Sequence, residues 1–448
     1  VTGIRDSTVC GQAEPNRKHR AAKQRARQTD AEFWAAVGIS EDREPTAAEL
    51  GNAIVAAALQ SARSGTRSKS ARGDAVVAKR FGALFAGMPP AEVEHGTHLA
   101  GQHVIASVFR NGWMPSDIAS AAQRRGDTFV LEFLTDVIAA YVRPFAPDTI
   151  DETWRAQLGE LGAEVWWSDS ASQLSQWATK HMLTSEEALT TVVEALALLL
   201  LLPKLELIRP LPGAARPQSV AHHVDEKVLG RVRGLLAKAE STSFPEEAEA
   251  LSAKAQELMT KYALDRVSVD TDTSVVDLPG ARRIWLDTPY TDAKALLIDA
   301  VANANRSRAI FLAEWGFVTI VGDESDLDAV GLLSTSLLVQ ATRAMIAIDI
   351  PESGTDARTF RKAFLVAYAT RIGERLAAAT AATIAQSTAP ERLLPVLASH
   401  QLAVDNAFDT LFPQSRSRGI TIRSAEGWDA GRAAADRARL DSRRGLES

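Results

Sequence analysis

Cysteine is nearly missing from this chain: one residue, Cys10, stands in 448. A single thiol excludes an internal disulfide framework and any paired-cysteine zinc site, and such usage suits a reducing compartment. Long apolar runs are missing too. The most apolar stretch, VVEALALLLLLP from Val192 to Pro203, is interrupted by Glu194 and closed by a proline. It falls far short of the ~20 residues of a bilayer span and reads as a buried core helix. The opening residues, VTGIRDSTVCGQAEPNRKHR, carry no apolar signal-peptide core, so the expectation is a cytoplasmic chain without membrane contact. No phosphate-binding GxxxxGK[ST], strand-borne GxGxxG, HExxH or GxSxG is found, which removes the best-marked nucleotidase, dehydrogenase, metalloprotease and hydrolase chemistries. An excess of positive charge is absent as well. The net charge of −6 argues against a protein that coats nucleic acid with its whole surface, while local basic patches stay open.

What is present organises into several parts. At 448 residues and 46% hydrophobic content, the chain can bury more than one core. Residues 1–28 read as a disordered basic tail. Within it RKHRAAKQRAR holds Arg17, Lys18, Arg20, Lys23, Arg25 and Arg27 with no acid, so it reads either as a solvated tail or as a phosphate-binding arm. Residues 29–207 read as a helical N-terminal domain, from apolar spacings of three and four. SARSGTRSKSARGD, residues 61–74, reads as a basic loop between helices. Further on, a helix should end at Asn111-Gly112. Trp113-Met114-Pro115 should turn, and Ser116 should cap a second helix ending at Arg124 and Arg125, a helix–turn–helix in outline. Three prolines and a glycine mark residues 208–223 as a linker.

Residues 224–268 read as a helical hairpin. Val228, Val232, Leu235 and Ala239, with Leu229 and Leu236 beside them, form one apolar stripe. Ala248, Leu251, Ala255, Leu258 and Tyr262 form a second. Ser243 and Glu246 have the spacing of a capping box around Pro245. The outer faces carry Lys227, Arg231, Lys238, Lys254 and Lys261. They read as a solvated face or as a ridge for phosphate or a partner protein.

From residue 276 to 448 the order strand, helix, two strands and two long helices predicts a small α+β domain, with Thr291 as a helix cap and the second and third strands joined tightly at Trp315–Phe317. The fold class expected for the whole chain is mainly α with this C-terminal α+β domain.

The hairpin sequence KVLGRVRGLLAKAESTSFPEEAEALSAKAQELMTKYALD resembles a helical module known as domain of unknown function 2786, found in bacterial and phage proteins. The matching positions are Leu235, Leu236, Ala237 and Ala239; Pro245, Glu247 and Ala248; and Lys254, Ala255, Leu258, Met259, Lys261 and Tyr262. GWMPSDI before the module, and SLLVQATRAM, RTFRKAFLVAYATRIGERL and GWDAGRAAADRA after it, are similar to the longer actinobacterial members. The resemblance implies this domain plan and no reaction.

Candidate chemistry is sparse. EHGTHLAGQH offers His95, His98 and His103 beside Glu92 and Glu94, but the spacing from His98 to His103 turns them apart on a helix, and Gly96 weakens helix there. GDESDLD offers Asp323 and Asp326 as ligands for a divalent metal, with Arg306 and Arg308 near in sequence; Ser325 with Asp328 reads instead as a capping box. Arg371 and Arg375 read as partners for acids on neighbouring elements, or for phosphates. Since no catalytic signature appears and basic segments recur, the leading expectation is a non-enzymatic binding protein for nucleic acid or a nucleoprotein, with no cofactor. The alternatives are a metal-dependent enzyme of nucleic-acid metabolism and a structural protein-interaction module.

Overall fold

Alanine and leucine at helical spacing fill most of this sequence, and the chain answers with helices stacked on their apolar sides. The structure, a computed structural model, describes residues 24, 27–40, 43–68, 71–214, 226–242, 244–273, 279–348, 356–387, 390–415 and 424–437. It is mainly helical, with one small sheet in the C-terminal half. It divides into two compact units, Val1–Arg216 and Pro217–Ser448.

In the first unit the long helices are α1 (Ala47–Ser68), α2 (Ala71–Ala86), α3 (Pro90–Arg110), α4 (Pro115–Arg125), α5 (Thr128–Val142), α6 (Glu152–Leu161), α7 (Gln173–Lys180) and α8 (Ser185–Leu201). The apolar run singled out in the sequence lies in α8, the central helix. Thr184 and Glu187 close a capping box at its start, and Val192, Val193, Leu196 and Leu199 are buried. Residues 61–74 are not a loop: α1 continues to Ser68 and α2 resumes at Ala71. Gly96 does not interrupt α3 either. It marks the point where α1 crosses α3, and a Cβ there would meet the Ala47 carbonyl oxygen at 2.8 Å. After α3 the chain turns at Gly112, whose φ of 83° is one that glycine tolerates and other residues resist. The Trp113 indole then donates to the Pro203 carbonyl at 2.8 Å.

The second unit begins with the hairpin, α9 (Glu226–Ser241) and α10 (Pro245–Thr273). Next come β1 (Gly280–Trp285), α11 (Thr291–Ala304), β2 (Arg308–Leu312), β3 (Phe317–Gly322), α12 (Glu324–Ile346), α13 (Ala357–Ala385), α14 (Pro390–Leu411) and α15 (Ala425–Arg437). The sheet order is β1-β3-β2, all antiparallel, with Arg283 opposite Thr319 and Ile310 opposite the same Thr319 on the other edge. The central strand β3 is buried along its length, as a middle strand covered by helices should be. Thr291 is the first helical residue of α11 rather than its cap; Tyr290, at a φ of 68°, takes the cap position. Among the described residues one helical segment, Asp326–Ile346, is long and apolar enough to cross a membrane. Its apolar residues Leu327, Val330, Leu333, Leu337 and Ala341 face the core of this unit.

The hairpin and the following α+β elements share that core. Val232, Leu236, Ala255 and Met259 pack in one cluster with Leu297, Ile298, Val318, Ile320 and Phe364. Helix α15 lies close on α13, where a Cβ at Gly427 or Gly431 would run into the carbonyls of Phe360 or Phe364. Arg371 of α13 pairs with Asp436 of α15 and with Glu374, the acid partners expected of it.

Candidate anion-binding face on the helical hairpin

Helix α9 buries Leu229, Val232, Leu236 and Ala239. This is the stripe expected from the sequence shifted by part of a turn, since Val228 and Leu235 lie at its margin, half-buried. The opposite side faces solvent and carries Lys227, Arg231 and Lys238, all exposed, while the exposed Arg233 stands on a flank. At about 100° per residue, Lys227, Arg231 and Lys238 fall within about 40° of one another on that side. Four cations stand against two carboxylates, Glu226 and Glu240, in the sequence of this helix. Among the described residues Arg231 has no carboxylate at ion-pair distance.

Two glycines lie beside these cations. Gly230 and Gly234 are exposed in mid-helix, and a Cβ added at either would meet nothing within 4 Å. Each glycine costs the helix about 0.5–1 kcal/mol relative to alanine, and packing among the described residues gives no reason for either.

On α10 the cations are partly neutralised. Lys254 and Lys261 both reach Glu257, at 2.9 and 2.5 Å, and these hydrogen bonds, from Lys261 first, hold its carboxyl below the ordinary value. Lys238 reaches across the turn to Glu247 at 2.9 Å. Exposed pairs of this kind give way readily to other ions.

The expected capping box of Ser243 and Glu246 falls on side chains outside the described residues; those described at the hairpin turn are fastened through Thr242. Thr242 Oγ1 accepts from the Phe244 amide at 3.2 Å and donates to Glu247 Oε2 at 2.8 Å. Phe244 occupies the cap position of α10, its carbonyl accepting from the Ala248 amide, and its ring is 70% exposed.

The remaining candidates lie elsewhere. Arg17, Lys18, Arg20, Lys23 and Arg25 fall outside the described residues, and Arg27 is an exposed residue at the start of a helical stretch, 27–36. In the helix–turn–helix outline α4 begins at Pro115. Asp117, not Ser116, serves its start, accepting from the Met114 amide. Six of the eleven residues of α4 are buried, including Pro115, Asp117 and Ile118. A recognition helix contacts bases with its N-terminal residues, so α4 offers no such edge.

His95, His98 and His103 all lie on α3, and Glu94 accepts from the Ser172 hydroxyl at 2.6 Å. Burial and then the nearby His95 lower the affinity of His98 for a proton. Asp326 pairs with Arg306 at 3.1 Å, Asp323 stands 3.4 Å from His400 Nδ1, and Arg308 pairs with Asp405 at 2.8 Å. Asp328 pairs with Arg282 of β1, while the Ser325 side chain, its expected capping-box partner, lies outside the described residues. No group of three or more His, Cys, Asp or Glu side chains converges as a metal set among the described residues.

With that geometry in place, residues 227–266 match the family described as protein of unknown function (DUF2786). The chain carries a DUF2786 module. The module is the α9–α10 hairpin without the last turns of α10, and it occupies 40 of the 448 residues. No curated protein and no solved structure matches the chain.

One feature of the DUF2786 module escaped the sequence reading. Ser252, Gln256 and Thr260, four residues apart, are polar and almost fully buried. Gln340 donates to Ser252 at 3.0 Å, while Gln256 joins Asn305 and Thr380. The sequence shows no sign of it, because polar residues at each fourth position beside an apolar stripe ordinarily mark a solvent face.

Proposed function

We propose that this is a nucleic-acid-binding protein and that the outer face of α9 in the DUF2786 module is its binding surface. One observation carries the reading: Lys227, Arg231 and Lys238 project together from a helix whose other side is locked in a core. Rigid placement of the helix means that little backbone freedom is lost on binding. Gly230 and Gly234 support the same reading, since a phosphate backbone can approach the helix where no side chain intervenes. The net negative chain favours a local contact over general adsorption. The six tail cations, Arg17 to Arg27, would add a second, sequence-independent contact.

The test is titration of the full chain into a fluorescent oligonucleotide at several salt concentrations, starting near 50 mM, where phosphate contacts are strong. The triple variant Lys227→Glu/Arg231→Glu/Lys238→Glu should bind at least about tenfold more weakly. Its salt dependence should flatten by roughly 0.7–0.9 in log–log slope for each phosphate contact removed. Circular dichroism checks that the variant remains folded. Deletion of residues 1–28 separates the tail from the module. No binding by the wild type at low salt, or equal binding by a folded triple variant, overturns the reading.

A further inference from the structure

The geometry points to single-stranded nucleic acid, read partly by the Phe244 ring stacking on an unpaired base. This rests on the binding face proposed above and narrows its ligand.

Phe244 is an odd residue for its place. Cap positions favour Ser, Thr, Asn or Asp, whose side chains accept a backbone hydrogen bond. A phenyl ring accepts none, and at 70% exposure it also forgoes most of the burial that makes phenylalanine stabilising. Yet the ring's base is fixed. The Phe244 amide donates to Thr242, its carbonyl accepts from the amides of Glu247 and Ala248, and Glu247 ties back to Thr242 and Lys238. The turn therefore presents a flat apolar surface at a defined position, with no ring contact among the described residues.

Cations stand at the same end of the unit. Lys238 is in the last turn of α9, and the exposed Arg343 of α12 donates to the Glu240 carbonyl there. Arg231 lies two turns back along α9. Proteins that hold single strands combine a cationic track for the backbone with aromatic rings on which bases stack. A duplex stacks its bases on one another and offers an isolated ring no face, so it would use only the cations.

The experiment compares binding of a fluorescent thymidine oligonucleotide and a duplex of the same length to the full chain at one salt concentration, for wild type, Phe244→Ala and Phe244→Trp. Because the ring is exposed, Phe244→Ala should melt like wild type, which thermal unfolding checks. The single strand should bind more tightly than the duplex. Phe244→Ala should lose about five- to a hundredfold on the single strand and little on the duplex, and Phe244→Trp should retain the wild-type preference. Equal or tighter duplex binding overturns the inference while leaving the basic face standing. So does a folded Phe244→Ala variant with unchanged single-strand affinity. Failure of wild type to bind either oligonucleotide is a different result, and it removes the α9 reading itself.

Discussion

Gln256 of α10 and Asn305, at the end of α11, exchange amide hydrogen bonds in the buried interior: Gln256 Nε2 donates to Asn305 Oδ1 at 2.9 Å, and Asn305 Nδ2 donates to Gln256 Oε1 at 3.2 Å. Gln256 also donates to Thr380 of α13, and Asn305 to the Val301 carbonyl. The DUF2786 module thus docks on the rest of its unit through a satisfied polar pair set among apolar contacts. Apolar surfaces slide on one another at small cost, whereas a reciprocal amide pair has one good alignment. The pair fixes the depth and rotation of α10, and through the hairpin it fixes where the cations of α9 point.

Replacing one partner should therefore cost more than replacing both. Gln256→Leu strands the Asn305 side chain in the core and should lower unfolding stability by about 1–3 kcal/mol. Gln256→Leu/Asn305→Leu should recover part of that loss. Denaturant titration of the two single variants and the double variant completes the cycle. Strictly additive losses would show that the pair is not coupled.

Much of this architecture was legible in the sequence, for reasons that can be named. The strands around Ile284, Phe311 and Ile320 and the helices between them announced themselves by apolar period and turn residues, and the 3.6-residue stripe placed both helices of the hairpin. Harder to see were features set by tertiary contact. Gly96 looked like a helix weakener because a sequence does not show that α1 crosses there. Asp323 and Asp326 looked like a ligand pair because a sequence does not show that Arg306 pairs with Asp326 or that α14 brings His400 up to Asp323. Helix α14, with Pro395 inside it and a buried face of Leu397, Val404 and Phe408, was missed altogether. The cationic face of α9 was visible as a list of residues, but its rigidity and the exposed Phe244 beside it required coordinates.

Glycines divide by what surrounds them. At Gly96 a methyl group would sit 2.8 Å from a backbone carbonyl, so Gly96→Ala should destabilise the first unit by about 1–3 kcal/mol through overpacking. At Gly234 it would meet open space, so Gly234→Ala should stabilise by about 0.5–1 kcal/mol through better helix propensity. Denaturation midpoints with unchanged slopes are the readout. A destabilising Gly234→Ala would mean that the glycine serves the fold rather than an outside contact.

Asp136 supplies a pH signature in the first unit. Burial raises its carboxyl above the ordinary value, against the hydrogen bond from the Trp166 indole that favours the charged form. Between the ordinary value of 3.8 and the raised folded value, the native state holds more protons than the unfolded chain. Stability contributed by this group therefore falls as pH rises through that interval and is flat beyond it. Asp136→Asn keeps an acceptor for the Trp166 indole, which now lies 2.9 Å from Asp136 Oδ1, and removes the titration. Its stability relative to wild type should climb across the interval. Parallel pH profiles for the two proteins would rule Asp136 out as the source.

The Arg306–Asp326 pair decides between two roles for the acids after β3. Arg306 sits at a φ of 56°, in the tight turn that leads into β2, and its side chain and that of Asp326 are 19% and 11% exposed. A half-buried guanidinium needs its carboxylate, so Asp326→Ala should cost about 1–3 kcal/mol by leaving the cation without its partner. If the acids only hold the turn, that cost is the same with and without magnesium, and magnesium leaves the wild-type melting temperature where it is. A magnesium-dependent rise in wild type that Asp326→Ala abolishes would instead make Asp323 and Asp326 metal ligands, because a cation that binds only the native state must raise its stability by mass action.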